Sequence, residues 1–280
     1  MQVVTPEIKT WIIQQARAGY PVNAVMQAMR AAGWSEPVAV AAIDEAVKEY
    51  ISTMPPAPPA SIMRPYIDLS RSPCTIDVSD RMVNVLLTMA KPRIALLSNV
   101  LSDEECETLV REAEPRLKRS NTVDNETGGE QLHPDRTSDG MFFSRGETPL
   151  IQRIEERLSR LINWPVENGE GLQVLRYKPG AEYKPHYDYF IPDAPGTSRI
   201  IANGGQRVAT VVIYLNDVER GGGTTFPDVG LEVMPKRGHA VFFAYDQPDP
   251  STLTLHAGAP VIEGEKWIAV KWLREFQFLP

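Results

Sequence analysis

The chain has 280 residues, 42% of them apolar and 23% charged, which is the composition of an ordinary soluble globular protein with room for one large core and something small beside it. A net charge of -7 argues against a general nucleic-acid binder, which would carry a basic surface. Cys74 and Cys106 show no CxxC spacing, and no stretch reaches about 18 apolar residues, so the expectation is a cytoplasmic protein without a disulfide framework or a membrane segment.

Residues 5 to 50 read as three short helices. In the first, Ile8, Trp11, Ile12 and Ala16 recur at helical spacing, with Thr5 as candidate N-cap, Pro6 at the first helical position and Gly19 as a stop. The second sets Val22, Val25, Met26 and Met29 on one face and ends at Gly33. The third begins near Ser35 and carries Val40, Ile43 and Val47. Stripes of this length are buried only against each other or a neighbour. By helix count and the stretch AGYPVNAVMQAMRAAGW, residues 1–53 resemble a ubiquitin-associated-like three-helix module, which implies a protein partner; a packing or solubility element is the alternative. The proline-rich MPPAPPA, residues 54–60, has the composition of an extended spacer and marks the boundary of a second domain, 61–280.

Beyond the spacer the pattern predicts three more helices and then strands. Ser79 can cap a helix with Val83, Leu86, Leu87 and Ala90 on one face. The stretch SDEE from Ser102 to Glu105 is a capping box, opening a helix that buries Cys106, Leu109, Val110 and Ala113. A third helix starts at Thr148-Pro149 and carries Ile151, Ile154, Leu158 and Leu161. From Gly171 onward, GLQVLRY, RVATVVIYL, HAVFFAY, TLTLHAG and KWIAVKWL are short apolar runs broken by turn residues, as in antiparallel sheets folded into a sandwich or barrel. With helices outside the barrel the domain is α+β.

The stretch YKPGAEYKPHYDYF places His186 and Asp188 two residues apart, side by side on one face of a strand. His256 ends another apolar run and can supply a second imidazole. Two histidines and one carboxylate suit non-haem Fe(II), since they fill one face of an octahedron and leave three positions open. A closed zinc site wants a fourth protein ligand, and none is evident. Lys266 lies ten residues after His256 across the turn EGE, which brings it back beside the histidine strand. A lysine aimed into a barrel needs an anion, and a dicarboxylic co-substrate supplies one. In KWIAVKW, Lys266, Ile268, Val270 and Trp272 share a face opposite Trp267 and Lys271, so Trp272 either lines a pocket or is plain core. GGGTTFPDVG offers the Thr224 hydroxyl after a glycine run that allows close backbone approach. His133, in a loop before a proline, and His239, at a strand start, read as solvated and hydrogen-bonded edge residues.

From KPRIALLSNVLSDEEC through LQVLRYKPG, YKPHYDYF, GGQRVATVVIYLNDVERGGGTTFPDVG, VMPKRGHAVFF and TLHAGAPVIEGEKWIAVKWLRE, residues 92 to 276 closely resemble the prolyl 4-hydroxylases, a branch of the Fe(II)- and 2-oxoglutarate-dependent dioxygenases. The resemblance implies a double-stranded β-helix, a jelly-roll barrel flanked by helices. It implies iron on His186, Asp188 and His256, and 2-oxoglutarate held by Lys266 with help from Thr224 and Tyr177. It implies a peptide groove lined by Arg136, Ser138, Tyr183, Arg207 and Trp272, with mobile loops at 120–136 and 190–206; a satisfied core hydroxyl or a solvated arginine is the alternative for several of these. O₂ would be consumed with 2-oxoglutarate, ascorbate would serve as a reductant, and C4 of a peptidyl proline would be hydroxylated as 2-oxoglutarate is decarboxylated to succinate. Tyr187 is expected in the barrel wall, and Lys178 and Lys184 in solvent. The competing expectations are an oxygenase of a free amino acid or small metabolite, and a non-catalytic scaffold that binds metal or 2-oxoglutarate.

Overall fold

The computed structural model describes residues 4–17, 22–53, 64–123, 129–132 and 135–279. The expected stop at Gly19, the spacer 54–60 and His133 lie outside these residues. The chain divides into two compact units, Met1–Met63 and Arg64–Pro280.

In the first unit, α1 (Pro6–Arg17), α2 (Val22–Ala31) and α3 (Glu36–Thr53) pack around Ile12, Val25, Met29, Ala39, Ala42, Ile43 and Ala46. Pro6 opens α1, and Gly33, at φ 91°, turns the chain after α2. The valine stripe expected on α3 is corrected: Val40 and Val47 face outward, 44% and 36% exposed, and Val22 of α2 is 60% exposed. Alanines take the inner positions instead, because short helices approach closely where side chains are small.

The larger unit opens with β1 (Thr75–Asp77), β2 (Met82–Met89) and β3 (Arg93–Ser98), then α4 (Asp103–Ala113). β4 (Lys118–Arg119), β5 (Asn121–Val123), β6 (Glu130–Leu132) and β7 (Asp139–Phe143) lead to α5 (Pro149–Ile162). β8 (Leu172–Tyr177) and β9 (Tyr183–His186) precede α6 (Thr197–Ile201), followed by β10 (Arg207–Tyr214), β11 (Arg220–Gly221), β12 (Thr224–Phe226) and β13 (Leu231–Val233). β14 (Ala240–Ala244), β15 (His256–Gly258), β16 (Val261–Glu263) and β17 (Lys266–Arg274) complete it.

Among the described residues, one sheet runs β1-β2-β3-β14-β10-β17-β8-β7-β4 and a smaller one runs β13-β12-β15-β9. They face each other across Leu175, Tyr177, Val212, Tyr214 and Phe243 of the large sheet and Phe226 and Val233 of the small one, which is the jelly-roll barrel. Alternation along β17 sorts its side chains: Ile268, Val270 and Trp272 face this interior, while Trp267, Ala269 and Leu273 face the outer core under α4 and α5.

The capping box forms as read. Ser102 Oγ accepts from the Glu105 N–H at 3.1 Å, and a Glu105 carboxylate oxygen accepts from the Ser102 N–H at 2.9 Å. Thr148 caps α5, with Pro149 in its first turn, and Cys106 is buried. The helix expected after Ser79 is instead the strand β2. Ser79, at φ 82°, sits in the turn between β1 and β2, where Asp77 accepts its N–H at 2.8 Å. A register shift between Val85 and Leu87 breaks the alternation of β2, so a period of two imitated helical spacing. Val83 points into the core, whereas Leu86 and Leu87 are exposed. TLTLHAG is also shorter as a strand than its apolar pattern, because Leu253 takes φ 57° and only His256–Gly258 is extended; His256 therefore begins β15.

Candidate active site

β9 and β15 lie antiparallel with His186 opposite His256, and the chain turning out of β9 brings Asp188 between them. Asp188 Oδ1 is 3.6 Å from His186 Nε2, and Oδ2 is 3.5 Å from His256 Nε2. One ligand atom from each residue lies within 4.8 Å of the others. His186 Nδ1 faces the Lys184 carbonyl at 2.9 Å and His256 Nδ1 the Thr254 carbonyl at 3.0 Å. A carbonyl only accepts, so each Nδ1 carries the proton and each Nε2 turns its lone pair toward the shared point.

Asp188 is held from behind by Thr210, whose hydroxyl donates to Oδ2 at 2.7 Å and lies 3.2 Å from the Tyr245 hydroxyl. Burial works to raise the Asp188 carboxyl, but the imidazoles of His256 and His186 and the Arg207 charge outweigh it and hold the group well below the usual carboxylate range. Burial, with His186 beside it, pulls His256 down to about 4 and keeps it neutral near pH 7. Two imidazoles and an ionised carboxylate converging from one side fit a divalent iron with open positions.

A narrow recess runs from these atoms to Lys266, which arrives from the large sheet facing the histidines rather than from a strand beside them. Its Nζ lies 5.5 Å from the ring centre of Tyr177, its register partner on β8, and 5.9 Å from that of Tyr214. Among the described residues, no carboxylate or hydrogen-bond acceptor meets it. Burial pulls the ammonium down to about 7, with no charged group among the described residues to offset it. Thr224 reaches the recess from β12, its hydroxyl oxygen accepting from Tyr214 at 2.8 Å. Gly222, at φ 71°, lets the backbone pass where a Cβ would sit 3.3 Å from the Lys266 chain.

Outside the triad the recess opens into a cleft of about 590 Å³, and Arg136, Tyr183, Arg207 and Trp272 line it as the sequence led one to expect. Ser138 does not: it is fully buried and its hydroxyl donates to Ser120 at 3.0 Å. Ser138 precedes β7 and is tied to Ser120 through backbone as well, its carbonyl accepting the Ser120 N–H at 3.0 Å, which keeps it out of the cleft. Tyr183 stacks on His186 with ring centres 3.6 Å apart and stays protonated, its hydroxyl pushed up to about 12 by burial. Arg136 spans Gln173, at 2.8 Å, and the Tyr183 ring. Trp272 Nε1 is buried without a hydrogen-bond partner among the described residues. Tyr187 packs on Tyr189 and also lines the cleft, where only a wall position was expected. Lys184 is exposed and pairs with Asp135 at 2.8 Å; Lys178 is exposed as well. His239 directly precedes β14, and its carbonyl accepts the Tyr214 N–H.

Sequence reasoning missed Thr210, Tyr214, Gln173, Glu170 and Arg274. The available signal was a polar side chain inside an apolar strand run, as with Thr210 in RVATVVIYL and Gln173 in LQVLRY.

A family model described as the 2OG-Fe(II) oxygenase superfamily matches residues 172–274. The chain is 39% identical over 236 residues to prolyl 4-hydroxylase 2 of Arabidopsis thaliana, an alignment covering 75% of this chain and 77% of that protein. Prolyl 4-hydroxylase 5 of the same plant is 42% identical over 209 residues, covering 67% of this chain and 70% of its own. A viral collagen prolyl hydroxylase of Paramecium bursaria Chlorella virus-1, solved as a 2-oxoglutarate complex, aligns with a TM-score of 0.50 at 33% identity, over 65% of this chain and 95% of the viral one. With these likenesses the convergent imidazoles and the anion-seeking lysine have one reading, an oxygenase that uses Fe(II) and 2-oxoglutarate. Within that class the chain belongs to the prolyl 4-hydroxylase family.

Proposed function

We propose that the protein hydroxylates peptidyl proline at C4, coupled to decarboxylation of 2-oxoglutarate to succinate. The observation that carries the reading is the buried Lys266 ammonium, which meets no acceptor among the described residues, in the same recess as the ligand atoms of His186, Asp188 and His256. A scaffold has no use for both.

In this reading the three side chains hold Fe(II), which with 2-oxoglutarate and O₂ supplies the oxidant that turns a proline C–H into C–OH. Lys266 pairs with the far carboxylate of 2-oxoglutarate, and the Tyr177 and Thr224 hydroxyls flank it. Thr210 fixes the carboxylate plane of Asp188. Tyr183, Arg136 and Trp272 stand where the recess meets the cleft, close enough to hold a peptide beside the metal and to keep water away. Relatives named for prolyl hydroxylation support a peptide over a free metabolite, and an open cleft of about 590 Å³ accommodates a chain passing through. Cys74 and Cys106 are free thiols, which supports assignment to the reducing cytoplasm.

The test is succinate release with and without proline-containing peptides, together with mass spectrometry for one added oxygen on proline. Iron-dependent succinate formation stimulated by such a peptide is expected. Oxygen found on a free amino acid, with no peptide hydroxylated, would move the protein to the metabolite class; no iron-dependent turnover at all would remove the enzyme reading. His186→Ala and Asp188→Ala are each expected to stay folded and to lose Fe(II) binding, and unchanged affinity in both would reject the ligand assignment.

A further inference from the structure

One wall of the cleft is the segment carrying α6, and it is held from the end of the last barrel strand. Arg274 closes β17 with its side chain almost entirely buried. Its Nη2 donates to the carbonyl of Ile200 at 2.9 Å and also to that of Asn203, while Nη1 lies 3.4 Å from Glu170 Oε1. Gly204, at φ 81°, packs so closely that a Cβ there would sit 3.3 Å from the Arg274 side chain. The far side of Glu170 grips Arg207 with both oxygens, at 2.7 and 2.8 Å. Arg207 in turn lies 4.0 Å over the Trp272 ring and donates to the Asp188 carbonyl at 3.4 Å. A continuous set of charge-assisted contacts therefore runs from the cleft wall to the backbone of a triad residue.

We propose that Arg274 is a positioning residue for the reaction, holding the wall formed by residues 197–206 against the Glu170–Arg207 pair so that a peptide seated on that wall is registered beside the metal triad. A planar fork is what the place requires. Two carbonyls and a carboxylate approach in different directions, and a lysine's single nitrogen cannot serve all three while keeping its stem in place. Ile200 and Asn203 line the cleft on the same short segment whose carbonyls Arg274 clamps, so loosening the clamp moves the surface a peptide would touch. Lys266 and the recess lie on the other side of Trp272 and do not share these contacts.

The inference rests on the proline-hydroxylating reading of the cleft. It is tested with Arg274→Lys and Arg274→Gln in the full chain, by hydrogen exchange over 197–206, peptide kinetics, the ratio of succinate to hydroxyproline, and Fe(II) and 2-oxoglutarate affinity. Exchange in 197–206 is expected to rise about tenfold, and the peptide KM by about tenfold with a smaller change in kcat. More succinate should form per hydroxyproline, while both affinities and exchange in β8 stay unchanged. A merely structural arginine would alter exchange without altering KM or the ratio, and that result in both variants overturns the proposal. Unchanged exchange overturns it at the level of the contacts, and does so even if the wild-type enzyme hydroxylates no proline peptide, the outcome that separately defeats the proposed function.

Discussion

Lys266 is the residue whose energetics reach furthest. Its folded value near 7 lies below the ordinary 10.5, so between those values the folded chain binds fewer protons here than the unfolded one. Stability of the ligand-free protein therefore rises with pH across that window and levels off below it. A dicarboxylate that pairs with the ammonium restores the ordinary preference. Binding above pH 7 must then take up one proton, and 2-oxoglutarate affinity should fall about tenfold per pH unit there. Calorimetry in buffers of different ionisation heat reads that proton directly. Lys266→Met should abolish the uptake and weaken 2-oxoglutarate about a hundredfold while leaving metal affinity intact; a pH-independent affinity in the wild type would refute the pairing. Lys266 and the triad were legible because their spacing is written along the chain. Thr210 and Tyr214 were not, since what makes them matter is the register of β10 and the reach of its side chains to Asp188 and to Thr224 of the facing sheet.

The outer helices are fixed by one buried cation. Arg157 of α5 donates to both oxygens of Glu105 on α4, at 2.8 and 2.7 Å, to Asp80 in the β1–β2 turn at 2.7 Å, and to the Val100 carbonyl at 2.9 Å. Burial works to raise the Glu105 carboxyl, yet Arg157 outweighs it, and Arg157 likewise lowers Asp80. These carboxylates contribute stability above their ordinary range that is lost as pH falls through their depressed values. Arg157→Met leaves the largely buried Glu105 carboxylate with only Arg81, at 3.6 Å, and the Ser102 N–H as partners among the described residues, and should cost about 3 kcal/mol in urea unfolding, with a flatter loss of stability on acidification; a cost under about 1 kcal/mol would mean that these partners and water already serve it. The helices themselves could be read from Ser102, Glu105, Thr148 and Pro149, whose caps are local chemistry. β2 could not, because a bulge is defined by the partner strand, and Val83, Leu86 and Leu87 alone fit both periods.

At the scale of the molecule, the two units draw their cores from separate stretches of chain. That of the helical unit uses residues 12 to 46 and those of the larger unit begin at Ile67, among the described residues. The proline-rich stretch between them was readable from composition, whereas the sheet order β3-β14-β10-β17-β8 was not, since it pairs strands separated by many residues and the family resemblance supplied only the barrel class. Every side chain assigned here to metal, 2-oxoglutarate or peptide lies between Arg136 and Arg274. Residues 64–280 alone should therefore bind Fe(II) and 2-oxoglutarate within about twofold of the full chain and turn over a short proline peptide with the same KM, because a unit with its own core keeps its own site. If the helical unit recruits a partner, its removal should act only on a large protein substrate that engages both units, raising that KM through lost effective concentration. Equal losses for short peptide and protein would instead make the first fifty residues part of the catalytic fold, and steady-state kinetics on the two substrates separates the cases.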